Sequence, residues 1–166
     1  VNGLAAPVDP SVTAVNDDHT DADETVAVNE DSGANTGSVL TGTTSADGPV
    51  TVTTFQVAGD ATVYNAGQTA TIAGVGTLQI AANGSYTFTP AANYNGAVPV
   101  ATYLATDGTT STTGTLTRSV TPVNDNPIAS PDSATTLEDT PVSGNVLGND
   151  SDIDGNPLSV TGFSVA

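Results

Sequence analysis

The sequence predicts an all-β protein, an antiparallel two-sheet sandwich of Greek-key type, on three observations. Thr, Val, Gly, Asn and Asp dominate, which favours pleated strands joined by tight turns. Strand signals recur every ~10–12 residues, the spacing of sandwich strands. No stretch shows helical periodicity. Hydrophobic residues make up 37% of the 166 residues but aromatics only 4%, so the core is expected to rest mainly on Val, Leu, Ile and Ala.

In order, the strands are expected at 25–28, 38–40, 50–57, 62–64, 69–72, 77–81, 85–89, 98–105 and 114–120. Asn83-Gly84, between Leu78-Gln79-Ile80 and Tyr86-Thr87-Phe88, predicts a hairpin closed by a two-residue type I′ turn. Tyr86 and Phe88 alternate with polar neighbours. Leu116, Arg118 and Val120 likewise alternate with Thr115, Thr117 and Ser119.

The chain also repeats itself. Val15-Asn16-Asp17 recurs as Val123-Asn124-Asp125, an offset of 108 positions, and Glu30-Asp31 recurs as Glu138-Asp139. After one deleted residue, Asp47-Gly48 matches Asp154-Gly155, and Phe55-Gln56-Val57-Ala58 matches Phe163-Ser164-Val165-Ala166 at the original offset of 108. The expected organisation is a linker or the end of a preceding repeat at 1–15, a complete domain at 16–123, and the first part of a next, incomplete repeat at 124–166.

Charge narrows the function. Eighteen carboxylates face one cation, Arg118, for a net charge of −17. No basic patch can be assembled, so nucleic acid is excluded as a partner. Without Cys there is no disulfide framework and no cysteine-rich zinc site. No apolar run approaches ~18 residues, so no membrane insertion is expected. No signal peptide is legible, as expected for a piece of a longer protein.

The acids are not scattered. Seven lie within 16–31 and seven within 123–154, whereas 32–122 holds only Asp47, Asp60 and Asp107. Such clusters repel unless a hard divalent cation with six to eight oxygen ligands bridges them. Asp150-Ser151-Asp152-Ile153-Asp154-Gly155 has the alternating carboxylates and Gly of the front of an EF-hand calcium loop, but Thr161 stands where that loop closes with Glu. It reads as a calcium loop, with a solvated turn as the alternative. Its counterpart at 43–48 keeps one carboxylate, Asp47, and should bind weakly or not at all.

Several motifs together resemble bacterial cadherin-like repeats, also called VCBS-type or tandem Ig-like repeats, of large repeats-in-toxin surface adhesins. They are Val123-Asn124-Asp125-Asn126-Pro127, Glu138-Asp139, Asp152-Ile153-Asp154-Gly155, the stretch from Gly84 to Gly96, and Tyr103-Leu104-Ala105-Thr106-Asp107-Gly108. The resemblance covers roughly 16–166. It implies an Ig-like, cadherin-like fold and Ca2+ held between repeats. Glu30 and Asp107 would come from the complete domain, Asn124, Asp125 and Asn126 from the linker, and Asp152 and Asp154 from the next repeat. Pro122 replaces the Asp that opens a cadherin linker, so one or two ions are expected rather than three.

Enzymatic readings fare poorly. His19 stands in an acidic segment, read as an exposed residue of raised proton affinity, with no nucleophile context. No Gly-x-Ser-x-Gly elbow exists. The carboxylate pairs lack the aromatic platforms of a sugar cleft. Tyr64, Tyr86, Tyr94 and Tyr103 read as core or corner residues, and Arg118 as the partner of an acid or the cover of a strand face. The expected function is therefore a secreted, cell-surface, calcium-dependent spacer whose partners are neighbouring repeats. A filament subunit that pairs with other copies of itself by strand donation, and a ligand-binding adhesion module, are the alternatives.

Overall fold

The structure, a computed structural model, describes residues 15–164. The expectation for residues 1–15 therefore lies, but for Val15, outside the described residues. Among the described residues nine strands form: β1 (Glu24–Asn29), β2 (Asn35–Ser38), β3 (Thr51–Val57), β4 (Tyr64–Asn65), β5 (Thr69–Ile72), β6 (Gly76–Ile80), β7 (Ser85–Pro90), β8 (Gly96–Thr106) and β9 (Ser111–Thr121). They pack as a sandwich, with order β1-β9-β8-β3-β4 in one sheet and β2-β7-β6-β5 in the other. The all-β sandwich is as the sequence predicts. Period-two alternation explains it: β5 and β9 bury alternate residues, and β3 does so apart from a bulge between Val52 and Thr54, each sheet turning one face inward.

The core is more aromatic than composition suggests. Tyr103, Phe55 and Phe88 are its largest fully buried side chains, joined by Ile80, Leu116, Val39 and Val52. Tyr86 is buried too, while Tyr64 and Tyr94 are half-buried against the cluster, so the tyrosines serve the core. Tyr64 stacks on Phe55 with ring centroids 5.2 Å apart.

Three details differ from expectation. The β6–β7 hairpin forms, with Leu78 opposite Phe88 and Ile80 opposite Tyr86, but its turn is not type I′. Gly84 alone takes positive φ, at 80°, and its N–H donates to the Ala81 carbonyl at 2.9 Å. A three-residue loop with Gly in the left-handed position therefore replaces the two-residue turn. Second, β1 pairs with β9 in parallel, from Glu24 opposite Leu116 to Asn29 opposite Thr121, while every other pair is antiparallel.

The third concerns Arg118, which neither pairs with an acid nor covers a strand face. It is buried, with its guanidinium carbon 4.0 Å from the centroid of the Tyr86 ring and 4.6 Å from that of Phe88. Its position on the Leu116–Val120 face points it into the sandwich. There the ring faces attract the charge, and burial pushes its pKa down to about 10. None of its nitrogens has a hydrogen-bond partner among the described residues. Removing it orphans no carboxylate, and hydrophobic replacements of buried charges are often neutral or better. Arg118→Met should therefore leave the unfolding free energy within about 1 kcal/mol of the parent in urea titration. A loss of 3 kcal/mol or more, as when a buried ion pair is broken, would show that the cation is paired.

The parallel pairing decides where the acids go. β1 and β9 both run from an entry pole, where β8 turns into β9, to an exit pole, where Asn29 and Thr121 leave side by side. Residues 122–164 add no strand; turns and one bridge, Ile128 with Ser151, order them.

Candidate metal centre at the exit pole

Glu30 follows directly on β1, and its N–H donates to the Thr121 carbonyl at 2.9 Å. The side chain is 2% exposed. One carboxylate oxygen accepts the Val123 N–H at 2.7 Å, and the other accepts the Asn95 side-chain amide at 3.2 Å. Glu30 thus ties the outgoing chain to the sandwich. Asp31 adopts φ 55°, a left-handed turn that Asp tolerates better than most residues, and accepts the Asn93 N–H at 3.1 Å.

The loop beyond Asp150 is shaped by its own carboxylate. Asp152 Oδ1 accepts the N–H groups of Asp154 at 2.9 Å and Asn156 at 3.3 Å, and Gly155 takes φ 73° to close the turn. This loop meets the linker twice. The Asp125 N–H donates to Asp154 Oδ2 at 2.7 Å, and the Asn156 amide donates to Asn124 Oδ1 at 2.9 Å.

The result is crowding of negative charge around one group. Burial, followed by the charges of Asp31, Asp154, Glu30 and Asp152, pushes the Asp125 carboxyl above its ordinary range. Its Oδ2 is buried and has no hydrogen-bond partner among the described residues. An orphaned carboxylate oxygen among four further carboxylates is a costly arrangement in a protein alone. A cation would relieve it, and a donor set made only of oxygens suits a hard ion such as Ca2+. Among the described residues, no three His, Asp or Glu side chains converge closely enough to hold an ion as they stand.

Of the residues singled out from sequence, Glu30, Asn124, Asp125, Asp152 and Asp154 are drawn together at this pole. Asn126 is exposed beside them. Asp150 turns elsewhere and accepts the Ser130 N–H at 2.8 Å, supporting the Ile128–Ser151 bridge. Asp107 lies at the entry pole, a length of β9 away, about 33 Å at 3.3 Å per residue. Its carboxylate accepts the Thr110 and Thr109 N–H groups, which hold it down to about 2. The strand directions exclude it from the Glu30 set. His19, expected to be exposed, is 4% exposed, and its Nδ1 is 3.5 Å from Asp107 Oδ2. Asp31 is the residue that sequence reasoning passed over, although its place beside Glu30 in a recurring pair was a signal.

The repeat is visible in contacts as well as letters. The Asp17 N–H donates to Asp47 Oδ2 at 2.5 Å, the counterpart of Asp125 and Asp154. The Thr20–Thr44 bridge mirrors that of Ile128 and Ser151, and Asp31 and Asp139 share the left-handed conformation.

Comparison with known proteins agrees with this architecture. No curated protein matches the chain. A family model described as a bacterial Ig domain matches residues 124–166, and one described as a cadherin-like domain matches residues 28–121. Both are structural rather than enzymatic families, typical of extracellular, surface-exposed modules. Since the second match alone spans more than half of the sequence, the chain belongs to the cadherin-like domain family.

Proposed function

We propose that this chain is a calcium-dependent extender of a bacterial surface adhesin, in which Ca2+ at the exit pole fixes one repeat against the next. In this reading 16–123 is a complete domain, 124–166 opens its neighbour, and neighbouring repeats are the partners. The observation that carries it is the buried, partnerless oxygen of Asp125 among the charges of Asp31, Asp154, Glu30 and Asp152.

Glu30 and Asp31 would supply ligands from the sandwich, Asn124 and Asp125 from the linker, and Asp152 and Asp154 from the following loop. When bound, the ion supplies positive charge that turns mutual repulsion into a joint. This chain's own groups already do part of that work. The Glu30 carboxylate holds the Val123 amide, and Asp154 holds the Asp125 amide, so linker and loop are oriented beforehand.

Asp125→Ala should leave the sandwich folded and loosen the joint, seen as greater flexibility in small-angle scattering of the whole chain with calcium present. Asp60 is an unsuitable control because its carboxylate accepts the Tyr64 hydroxyl at 2.7 Å. Glu138→Ala removes the same charge from an exposed side chain outside the Asp125 environment. If both variants stay as rigid as the parent, the exit-pole acids only solubilise the chain.

A further inference from the structure

The entry pole is built around Tyr103, a phenol only 1% exposed. Its oxygen lies 2.6 Å from the Val39 carbonyl oxygen, 2.7 Å from Asp21 Oδ2 and 3.1 Å from Glu24 Oε2. Gly114 makes the approach possible, because a Cβ there would collide with both the Tyr103 ring and the Asp21 carboxylate. The phenol has one hydrogen, and three acceptors compete for it. A carbonyl can never return a hydrogen, whereas a carboxyl can when protonated. One phenol hydrogen cannot serve all three, so the crowded carboxyl contacts are satisfied when a carboxyl brings a hydrogen of its own.

We propose that Glu24 retains its proton at neutral pH, donated to the Tyr103 oxygen, and that this proton fastens the start of β1 onto β8. Burial and nearby charge around the Asp21–Glu24 pair favour a retained proton over the local hydrogen bonds that oppose it. Glu24 Oε1 is buried without a partner, which penalises the ionised form. Asp21 Oδ1 accepts the Thr43 hydroxyl at 2.6 Å, and Asp23 adds a further negative charge while accepting the Thr115 N–H. No cation faces the pair: β9 turns its Arg118 towards Tyr86 and Phe88, and His19 stands against Asp107. Burial pushes the Glu24 carboxyl up to about 7, hydrogen bonds with Tyr103 and the Thr41 backbone opposing and the Asp21 and Asp23 charges adding to the rise.

The sign follows from linkage. A carboxyl whose pKa is raised by folding stabilises the fold while it is protonated, fully so below its unfolded value. That contribution is lost as pH rises through about 7. Loss of the proton leaves two carboxylates and a carbonyl facing a single hydrogen, and the entry segment loosens from β8. The joint with whatever precedes residue 24 then becomes a pH-responsive one.

Carbon-13 NMR titration of the side-chain carboxyls in the whole chain tests this directly. Glu24 should show a midpoint about two units or more above the ordinary carboxylate range. Glu24→Gln supplies a permanent hydrogen donor. It should remove the loss of melting temperature that the parent shows between pH 5.5 and 8.5, a fall of about 5 °C. The titration stands even if the variant folds poorly. A Glu24 midpoint below about 5 would overturn the proposal, as would an equal pH dependence in a folded Glu24→Gln variant.

Discussion

Moving the chain from chelator into calcium at a hundred times the dissociation constant is expected to stabilise it by about 2.7 kcal/mol, because the ligands come together only in the folded state. For a sandwich of roughly 100 residues this corresponds to a rise of about 10 °C in melting temperature by calorimetry. The unfolded chain keeps its acids but not their convergence. Glu30 reaches the Val123 amide, and Asp125 the Asp154 carboxylate, across 93 and 29 positions of sequence. Magnesium at the same concentration should do less, since it demands a regular octahedron that carboxylates on three segments do not offer. Identical melting in calcium and chelator at matched ionic strength would remove the basis of the extender reading.

Phe88→Ala is expected to cost about 3–5 kcal/mol, the cost of emptying a close-packed site of an aromatic ring. Phe88 is fully buried on β7, between Asn35 of β2 and Leu78 of β6, and the Arg118 guanidinium rests on its ring. The substitution removes apolar burial and leaves that buried cation with one ring instead of two. Domains of this size are stable by about 5–15 kcal/mol, so much of the stability would go. Urea unfolding measures it as a lower midpoint at constant slope. A cost below about 1 kcal/mol would mean that the two sheets do not meet around this ring.

Much of this fold was legible because its signals are local. Period-two alternation puts Leu116 and Val120 inward, and Tyr86 and Phe88 against them, without knowledge of the sheet order. The same alternation put Arg118 inward too. Its charge argued for solvent, and the pattern rather than the residue type proved the better guide. Asn83-Gly84 announces a hairpin but does not choose between two- and three-residue loops, since both need Gly in a left-handed conformation.

Strand direction was the part that no local pattern encodes. The parallel course of β1 beside β9 brings Glu30 to Val123, and the antiparallel course of β8 carries Asp107 to the other pole. The family resemblance supplied the residue types of the site. The topology decided which of them share a pole, and it added Asp31, whose left-handed backbone is invisible in sequence.

The pairing of β1 with β9 has a consequence for a chain held at both ends. Tension that draws residues before Glu24 one way and those after Thr121 the other slides two parallel strands lengthwise past each other. Every hydrogen bond from the Glu24–Leu116 pair to the Asn29–Thr121 pair then bears load at the same moment. Peeling an antiparallel hairpin such as β8–β9 from its open end would instead break its bonds in succession. Under traction the terminal strands act as a shear lap joint, and the rupture force rises with the length of their overlap.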